Sequence, residues 1–161
     1  MKKWVKITLL VVIALVLMAG LFLKIYFNYP LPQYEGELTL TELQEPVEVF
    51  FDDYAVPHIF AKNEHDLFFV AGYLVARERL FQMTVTAAST EGRLAELFGE
   101  SVISSDIYLR TWGIPKAAAA LAENMHPESK AISKYFCDGV NTYIANTGSD
   151  LPVEFKLLDI K

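Results

Sequence analysis

The chain has 161 residues, of which 53% are hydrophobic, and this composition excludes an intrinsically disordered polypeptide. Residues 1–30 hold four of the 14 basic residues and no acidic residue, which leaves ten basic against 20 acidic residues in the rest of the chain. Such an acidic body, without a basic stripe or a glycine-rich phosphate loop, argues against nucleic acid as a partner. The single cysteine, Cys137, excludes an internal disulfide and a cysteine-based zinc cluster, and we expect it to be buried.

The first predicted element is an uncharged run from Ile7 to Leu23, with three lysines before it and Lys24 after it. A helix of these 17 residues would be about 26 Å long, and neighbouring apolar residues extend it towards the roughly 30 Å core of a bilayer. We interpret it as an uncleaved single-pass anchor. A cleaved signal peptide is an alternative, because Ala19 and Gly20 form a small pair, and a buried core helix is a third one.

The positive-inside rule places the N-terminal lysines in the cytoplasm and the rest of the chain on the extracytoplasmic side of a membrane. The chain therefore divides into an anchor at residues 1–27, a spacer at residues 28–37 and a body at residues 38–161. Pro30 and Pro32 favour an extended spacer, because proline disfavours helix in the residue before it. The lipid bilayer is thus a predicted partner of the uncharged run.

The body begins with strand patterns. Leu38–Thr41 alternates apolar with polar residues and predicts one short strand. Val47–Ala61 predicts a hairpin that turns at Asp52–Ala55. Strands this short need a larger sheet to pair with.

Helices are predicted for most of the remaining chain. Asn63 is expected to cap a helix from Glu64 to about Ala88. Gly72 within this helix predicts a close crossing or backbone contact, since glycine there costs about 1 kcal/mol relative to alanine. The helix carries a stripe of Leu67, Ala71, Leu74, Glu78, Phe81, Val85 and Ala88 at helical spacing. Further helices are predicted at Arg93–Phe98, at Ser104–Trp112 with Ser105 as its cap, at Lys116–Met125, and from Pro127 to Thr147.

Glu78 is the strongest candidate for chemistry, because a carboxylate on an apolar helix stripe must be paired, hydrogen-bonded or neutralised. Arg77, Arg79 and Arg93 are donors nearby in the sequence. A structural ion pair is the favoured interpretation over a catalytic acid or base, since ion pairs also perturb pKa values.

The other polar residues suggest no complete site. The three histidines, His58, His65 and His126, lack the spacing of zinc motifs, so we interpret them as satisfied or exposed side chains. Serines lie in no nucleophile motif, and the pairs Ser129-Lys130 and Ser133-Lys134 point to different helix faces. Asp52, Asp53 and Asp106 lie where turns and caps favour aspartate. The residues alone therefore predict no catalytic, cofactor or metal site.

Three motifs then follow one another: DDYAVPHIFA at Asp52–Ala61, GYLVARERLFQM at Gly72–Met83 and GRLAELFG at Gly92–Gly99. With Asp106, Arg110, Gly113, Gly139-Val140-Asn141, Leu151-Pro152 and Phe155, they resemble the penicillin acylase family of N-terminal-nucleophile amidases. The resemblance covers Leu38–Lys161. The sequence departs from the family pattern at Phe51, Ala55, Arg77 and Ala87-Ala88, which affects local ion pairs and leaves the assignment standing.

This resemblance implies a precursor that cuts itself into a small α chain and a large β chain, whose new N-terminal serine is the nucleophile. In such an enzyme the free α-amine activates the hydroxyl of its own serine, and backbone and asparagine donors hold the oxyanion. The implied complete fold is of the α+β class, a four-layer αββα sandwich to which this chain contributes helices and two or three strands. The nucleophile, the oxyanion asparagine and most ligands of the structural calcium often found in the family would lie beyond Lys161.

The resemblance therefore predicts the first part of an α chain. Gly148-Ser149 imitates a processing junction, but too few residues follow for a β chain, so we interpret it as turn chemistry. The apolar tail at Leu151–Lys161 indicates that the chain continues. The expected partner is the missing β chain or C-terminal part, and the expected substrate is a small linear amide. A membrane-tethered interaction module without catalysis, or the product of a decayed gene, is the alternative.

Overall fold

The computed structural model describes residues 3–28, 34–148 and 150–160, and the chain divides into one unit up to Leu31 and a second unit from Pro32. The first unit contains α1 (Lys3–Asn28), an exposed apolar helix. Its stretch Lys3–Tyr26 has a mean hydropathy of 2.7 and is long and apolar enough to cross a bilayer. Residues 29–33 of the predicted spacer lie outside the described residues.

The second unit is mostly helical, and its described part contains one hairpin. In chain order its elements are β1 (Glu48–Phe51), β2 (Pro57–Phe60), α2 (Glu64–Glu91), α3 (Ala95–Phe98), a 3-10 turn (Gly99–Val102), α4 (Ile103–Thr111), α5 (Ile114–Glu123), α6 (Pro127–Thr147) and α7 (Val153–Leu157). The predicted mostly helical body with short strands is therefore confirmed.

The predicted hairpin is also confirmed. β1 pairs antiparallel with β2, and Val49 lies opposite Ile59. One face of the hairpin packs against Phe69 and its buried neighbours on α2. The other face exposes Phe50 and Phe60, whose rings meet edge to face at 5.8 Å. This outer face also carries Glu48 and His58, so it is partly apolar and partly polar.

The predicted strand at Leu38–Thr41 is wrong. The backbone there forms no ladder and turns at Thr41 and Glu42. Leu40 and Leu43 instead pack beside the cluster that includes Phe69 on α2. The next backbone N–H groups, those of Gln44 and Glu45, donate to the carboxylate of Asp66, so α2 and not a strand fixes the path of this segment.

The centre of the second unit is the crossing of α2 with α6. A Cβ atom built on Gly72 would lie 2.0 Å from the carbonyl oxygen of Phe136, and one on Gly139 would lie 1.9 Å from that of Phe69. Each helix thus gives up a side chain where the backbone of the other approaches. The close crossing predicted from Gly72 is confirmed, and Gly139 is its reciprocal partner.

The predicted stripe on α2 is shifted from the face that is buried. The buried residues of α2 are Asp66, Phe69, Val70, Gly72, Tyr73, Leu74, Ala76 and Leu80. Of the predicted stripe, all of which the structure describes, only Leu74 is among them. The reason is that α2 packs against the hairpin on one side and against α6 on another, so its buried surface is wider than one stripe.

Three local predictions are also corrected or refined. Asn63 caps α2, as predicted, and Gly92 ends it in the left-handed conformation. Ser105 lies inside α4 and is not its cap, because the helix already begins at Ile103 after the 3-10 turn. Cys137 is exposed and not buried, because the residues of α6 that face α2 are its neighbours Phe136 and Gly139.

Candidate functional site

Asp66, in the first turn of α2, is fully buried and connects two parts of the second unit. The backbone N–H groups of Gln44 and Glu45 donate to its two carboxylate oxygens at 3.0 and 2.9 Å. The side-chain amide of Asn63 donates at 2.6 Å, and His65 Nδ1 lies 2.8 Å away. Asp66 therefore holds the segment before β1 onto the start of α2.

These contacts set the ionisation state of Asp66. Burial by itself raises the pKa of a carboxyl group, but the hydrogen bonds from Gln44, His65, Asn63 and Glu45 outweigh it and lower the pKa of Asp66 to about 2. The side chain is a carboxylate at neutral pH, and its oxygens are occupied by donors. It is suited to holding backbone and unsuited to proton transfer.

Asp106 is the second buried acidic residue that the structure describes. From α4 it accepts hydrogen bonds from the backbone N–H groups of Leu94 and Ala95, both at 2.8 Å. One turn later, Arg110 donates from Nε to the carbonyl oxygen of Gly92 at 2.8 Å. The two side chains thus bind both ends of the bend that leads from α2 into α3, an arrangement that caps α3 from a neighbouring helix.

Removal of the Asp106 carboxylate should loosen this bend. We expect Asp106→Ala to lower the free energy of unfolding by about 2 kcal/mol, because two N–H groups lose their acceptor. Asp106→Asn, which keeps one acceptor oxygen, should lose less. Urea unfolding followed by circular dichroism measures both, with Asp53→Ala in the exposed hairpin turn as the control. Equal stability of Asp106→Ala and Asp53→Ala would contradict the capping role.

Glu78 forms the structural ion pair that its position predicted. Its carboxylate lies 2.9 Å from the guanidinium of Arg77 and accepts a hydrogen bond from the Tyr34 hydroxyl at 3.0 Å. The Arg77 guanidinium lies over the Tyr34 and Phe51 rings, 5.3 and 5.1 Å from their centroids. The side chain of Glu78 is 26% exposed, so it is not deeply buried. The helical backbone is interrupted at the next residue, Arg79.

The other two predicted donors lie elsewhere. Arg79 donates to Gln82, while Arg93 pairs with Glu91 and Glu96 at 2.7 Å each. The hydrogen bond from Arg93 is the main cause that lowers the pKa of Glu96. Glu78 is thus held by Arg77 and Tyr34 in an aromatic and ionic cluster, and this cluster fastens the start of the second unit to α2.

The histidines lie apart from one another along the fold, each beside an acid. His58 Nε2 is 3.6 Å from Asp52, and His126 Nδ1 is 4.0 Å from Glu128. The side chains of His58 and His126 are 55% and 74% exposed, and His65 contacts buried Asp66. The prediction of satisfied or exposed histidines is confirmed.

Asp52 has a turn role as well. It accepts hydrogen bonds from the backbone N–H groups of Tyr54 and Val56, both at 2.9 Å. The bond from Val56 is the main cause that lowers the pKa of Asp52. Asp53 is exposed in the same turn. These acids shape the hairpin, as their turn context predicted.

One cleft of about 380 Å³ lies between the start of α2 and α6. It is lined by Glu42, His65, Phe69, Asp138, Asn141, Thr142, Ala145 and Asn146. Within residues 3–28, 34–148 and 150–160, no three His, Cys, Asp or Glu side chains are placed to hold a metal ion. Ser149, in the predicted turn that imitates a processing junction, lies outside the described residues.

The local sequence pattern does not predict the contacts that Asp66 and Asp106 make with distant backbone. Asp66 stands three residues after the helix cap Asn63, and that spacing of a capping box would have predicted their contact. No local sequence pattern predicts the hydrogen bonds of Asp66 with Gln44 and Glu45, which lie more than 20 positions away. Asp106 and Arg110 are four residues apart on one helix face, but the N–H donors to Asp106 and the carbonyl acceptor of Arg110 lie in the preceding bend.

Comparison with known proteins gives one consistent family. The family model described as penicillin amidase matches residues 46–161. The chain is 36% identical over 128 residues to the penicillin acylase 2 proenzyme of Pseudomonas sp. (strain SE83), which covers 80% of this chain and 16% of that protein. It is 35% identical over 113 residues to penicillin G acylase of Escherichia coli, over 68% of this chain and 13% of that protein.

Two further comparisons extend this result. The chain is 32% identical over 122 residues to the acyl-homoserine lactone acylase QuiP of Pseudomonas fluorescens (strain Pf0-1), over 76% of this chain and 15% of that protein. The fold is similar to that of a thermostable penicillin G acylase from Alcaligenes faecalis, with a TM-score of 0.64 and 29% identity over 72% of this chain and 63% of that chain. The chain thus spans about one sixth of the length of the first of these curated relatives.

Proposed function

Because this chain belongs to the penicillin amidase family of N-terminal-nucleophile hydrolases, we propose that it is the N-terminal part of a membrane-anchored amidase precursor. The observation that carries the proposal is the match over residues 46–161, combined with a span of only 16% of a relative that is itself a proenzyme. The complete enzyme would hydrolyse the carbon–nitrogen bond of a small linear amide. Relatives named for penicillin and for acyl-homoserine lactones support an acyl amide as the substrate class.

In this proposal the chain supplies architecture, and the chemistry lies in the C-terminal part. Residues of the family motifs support it by what they contact: Asp106 and Arg110 bind backbone, and Gly72 allows a helix crossing. The nucleophilic serine, with its own α-amine as the base, would be created by cleavage further along the precursor. The hairpin packs one face on α2 and exposes Phe50 and Phe60 on the other, which supports an inner position in a four-layer αββα sandwich.

The described residues do not fit a resident calcium ion. The buried carboxylates Asp66 and Asp106 are occupied by N–H donors, which a cation would have to displace. Any calcium site of the complete enzyme would take its ligands from other segments, and no step of the proposed reaction depends on such an ion here.

α1 is proposed as the uncleaved anchor. Its apolar stretch Lys3–Tyr26 supports a span with the second unit on the extracytoplasmic side, since three lysines precede the uncharged run Ile7–Leu23. A partner on that side would be the β chain or C-terminal part of the same precursor.

The proposal predicts that the 161-residue chain alone is inactive. Purified in detergent, it should release no amine from penicillin G or from an N-acyl homoserine lactone above the level of a matched blank. Expression of the complete reading frame should give turnover, and alanine at the serine exposed by cleavage should abolish it. Turnover by the 161-residue chain alone, or a complete precursor that is neither cleaved nor active, would contradict the proposal.

A further inference from the structure

The cleft between the start of α2 and α6 is a polar cavity that the proposed function does not use. Its volume of about 380 Å³ falls within the range of pockets that hold small molecules. One side is a single face of α6, because the lining residues of this helix recur at helical spacing: Asp138, Asn141, Thr142, Ala145 and Asn146. The other side is formed by His65 and Phe69 on α2 and by Glu42 before β1. The cleft thus places a polar helix face opposite a histidine.

The imidazole of His65 is held in one orientation. Its Nδ1 lies 2.8 Å from the carboxylate of Asp66, and its ring packs beside those of Phe69 and Tyr135, with centroids 6.1 and 4.7 Å away. Asp66 is ionised and can only accept, so Nδ1 carries the proton of this hydrogen bond. In the neutral ring the other nitrogen, Nε2, is therefore an acceptor. His65 brings to the cleft a fixed ring whose remaining nitrogen accepts.

The charges of the lining indicate which kind of ligand fits. No lysine or arginine is among the lining residues in the part of the chain that the structure describes. Glu42 and Asp138 contribute two carboxylates from opposite sides, and the amide oxygen of Asn141 is a further acceptor. An anionic ligand would be repelled by both carboxylates. A primary ammonium group, with a positive charge and three N–H donors, matches this set of acceptors.

Lys134 shows that a carboxylate of this cleft accepts an ammonium group. From the preceding turn of α6, its Nζ lies 2.5 Å from Oδ2 of Asp138. The side chain of Lys134 is 69% exposed, and exposed pairs at this spacing on a helix contribute little to stability. A ligand can therefore take the place of Lys134, which acts as an internal competitor for the same carboxylate.

We propose that this cleft binds a compact molecule with a primary ammonium group, held between Asp138 on α6 and His65 on α2. The site goes beyond the proposed function, because it lies wholly within this chain and uses no group of the C-terminal part. Binding does not depend on amide hydrolysis, although the amine that an amidase releases belongs to the same chemical class.

The test is a titration of the 161-residue chain in detergent with ethanolamine, at a mildly alkaline pH where imidazoles are generally neutral. Nitrogen–proton correlation spectra of the histidine rings follow the binding. We expect the signals of His65 to shift and to saturate, while those of His58 and His126, which do not line the cleft, stay in place. Ethylene glycol, in which a hydroxyl replaces the ammonium group, should give no saturable shift. A shift shared by all three histidines, an equal response to ethylene glycol, or no response of His65 would overturn the site.

Two substitutions on α6 should change the affinity in opposite directions. Asp138→Asn should weaken ethanolamine binding about tenfold, because the ammonium group loses its charged acceptor. Lys134→Ala should strengthen binding, because it removes the competitor for that carboxylate. Lys130→Ala, one turn earlier at an exposed position, should leave the affinity unchanged. Equal affinities of Asp138→Asn and the unchanged chain, or a loss of affinity in Lys134→Ala, would contradict the proposed role of Asp138.

Discussion

Replacement of Gly139 by alanine should destabilise the second unit by about 3 kcal/mol, and replacement of Gly72 should have a similar effect. The added Cβ of Gly139→Ala would lie 1.9 Å from the carbonyl oxygen of Phe69, and that of Gly72→Ala 2.0 Å from that of Phe136. These neighbours are backbone atoms in the middle of helices, so neither can rotate away. The two helices must move apart, which opens the packing between Ala76, Leu80 and Phe155 on one side of the crossing.

Helix propensity acts in the opposite direction to this steric clash, so the sign of the stability change tests whether the helices are in close contact. Glycine to alanine in a helix interior stabilises by about 1 kcal/mol where space is available. Urea unfolding in detergent, followed by circular dichroism at 222 nm, measures the net effect. Lys130→Ala, on an exposed position of α6, is the control for a change to alanine on the same helix. A stability gain in both glycine variants would show that the crossing is looser than the structure has it.

The crossing of α2 with α6 also shows which contacts a local sequence pattern can predict. Gly72 predicts a close approach because glycine is costly inside a helix and this one lies among apolar residues. Gly139 could be placed in a helix but not opposite Phe69, since that contact depends on the register of two distant segments. The buried face of α2 differs from the predicted stripe for the same reason, since it also depends on distant segments. A helix that packs against two partners has no single stripe, so a period of 3.6 residues does not locate its buried side chains.

The contacts of the candidate site likewise divide into local ones, which the sequence predicts, and distant ones, which it does not. Cap and turn contexts predicted for Asp52 and Asn63 depend on residues within a few positions, and they are confirmed. The acceptor roles of Asp66 and Asp106 depend on backbone 11 to 22 residues away, which no local pattern contains. The strand predicted at Leu38–Thr41 is absent, and the chain shortly after it is held by such a distant carboxylate through the N–H groups of Gln44 and Glu45. The family motifs gave the assignment that local chemistry could not give.

Asp66→Ala is the second large effect that we expect, a loss of about 3 kcal/mol in the free energy of unfolding. The substitution removes the acceptor of the Gln44 and Glu45 N–H groups and of the Asn63 amide at once. Asp66→Asn keeps one acceptor oxygen but turns an amide donor towards other donors, so it should lose part of this energy. Asp53→Asn, in the exposed hairpin turn, should be close to neutral.

The pH dependence of stability tests the same contacts without relying on the size of the mutational loss. The pKa of Asp66 is about 2 in the folded chain, below its ordinary value of 3.8, so its contribution is complete above pH 3.8 and is lost as the pH falls towards 2. The unfolding free energy of the wild-type chain should therefore fall more steeply over this interval than that of Asp66→Asn. Asp52 and Glu96, whose pKa values are also lowered, titrate in both proteins and cancel in the difference. Parallel curves would mean that Asp66 is not held as a hydrogen-bonded carboxylate, and that the segment before β1 is fixed to α2 mainly by its apolar contacts.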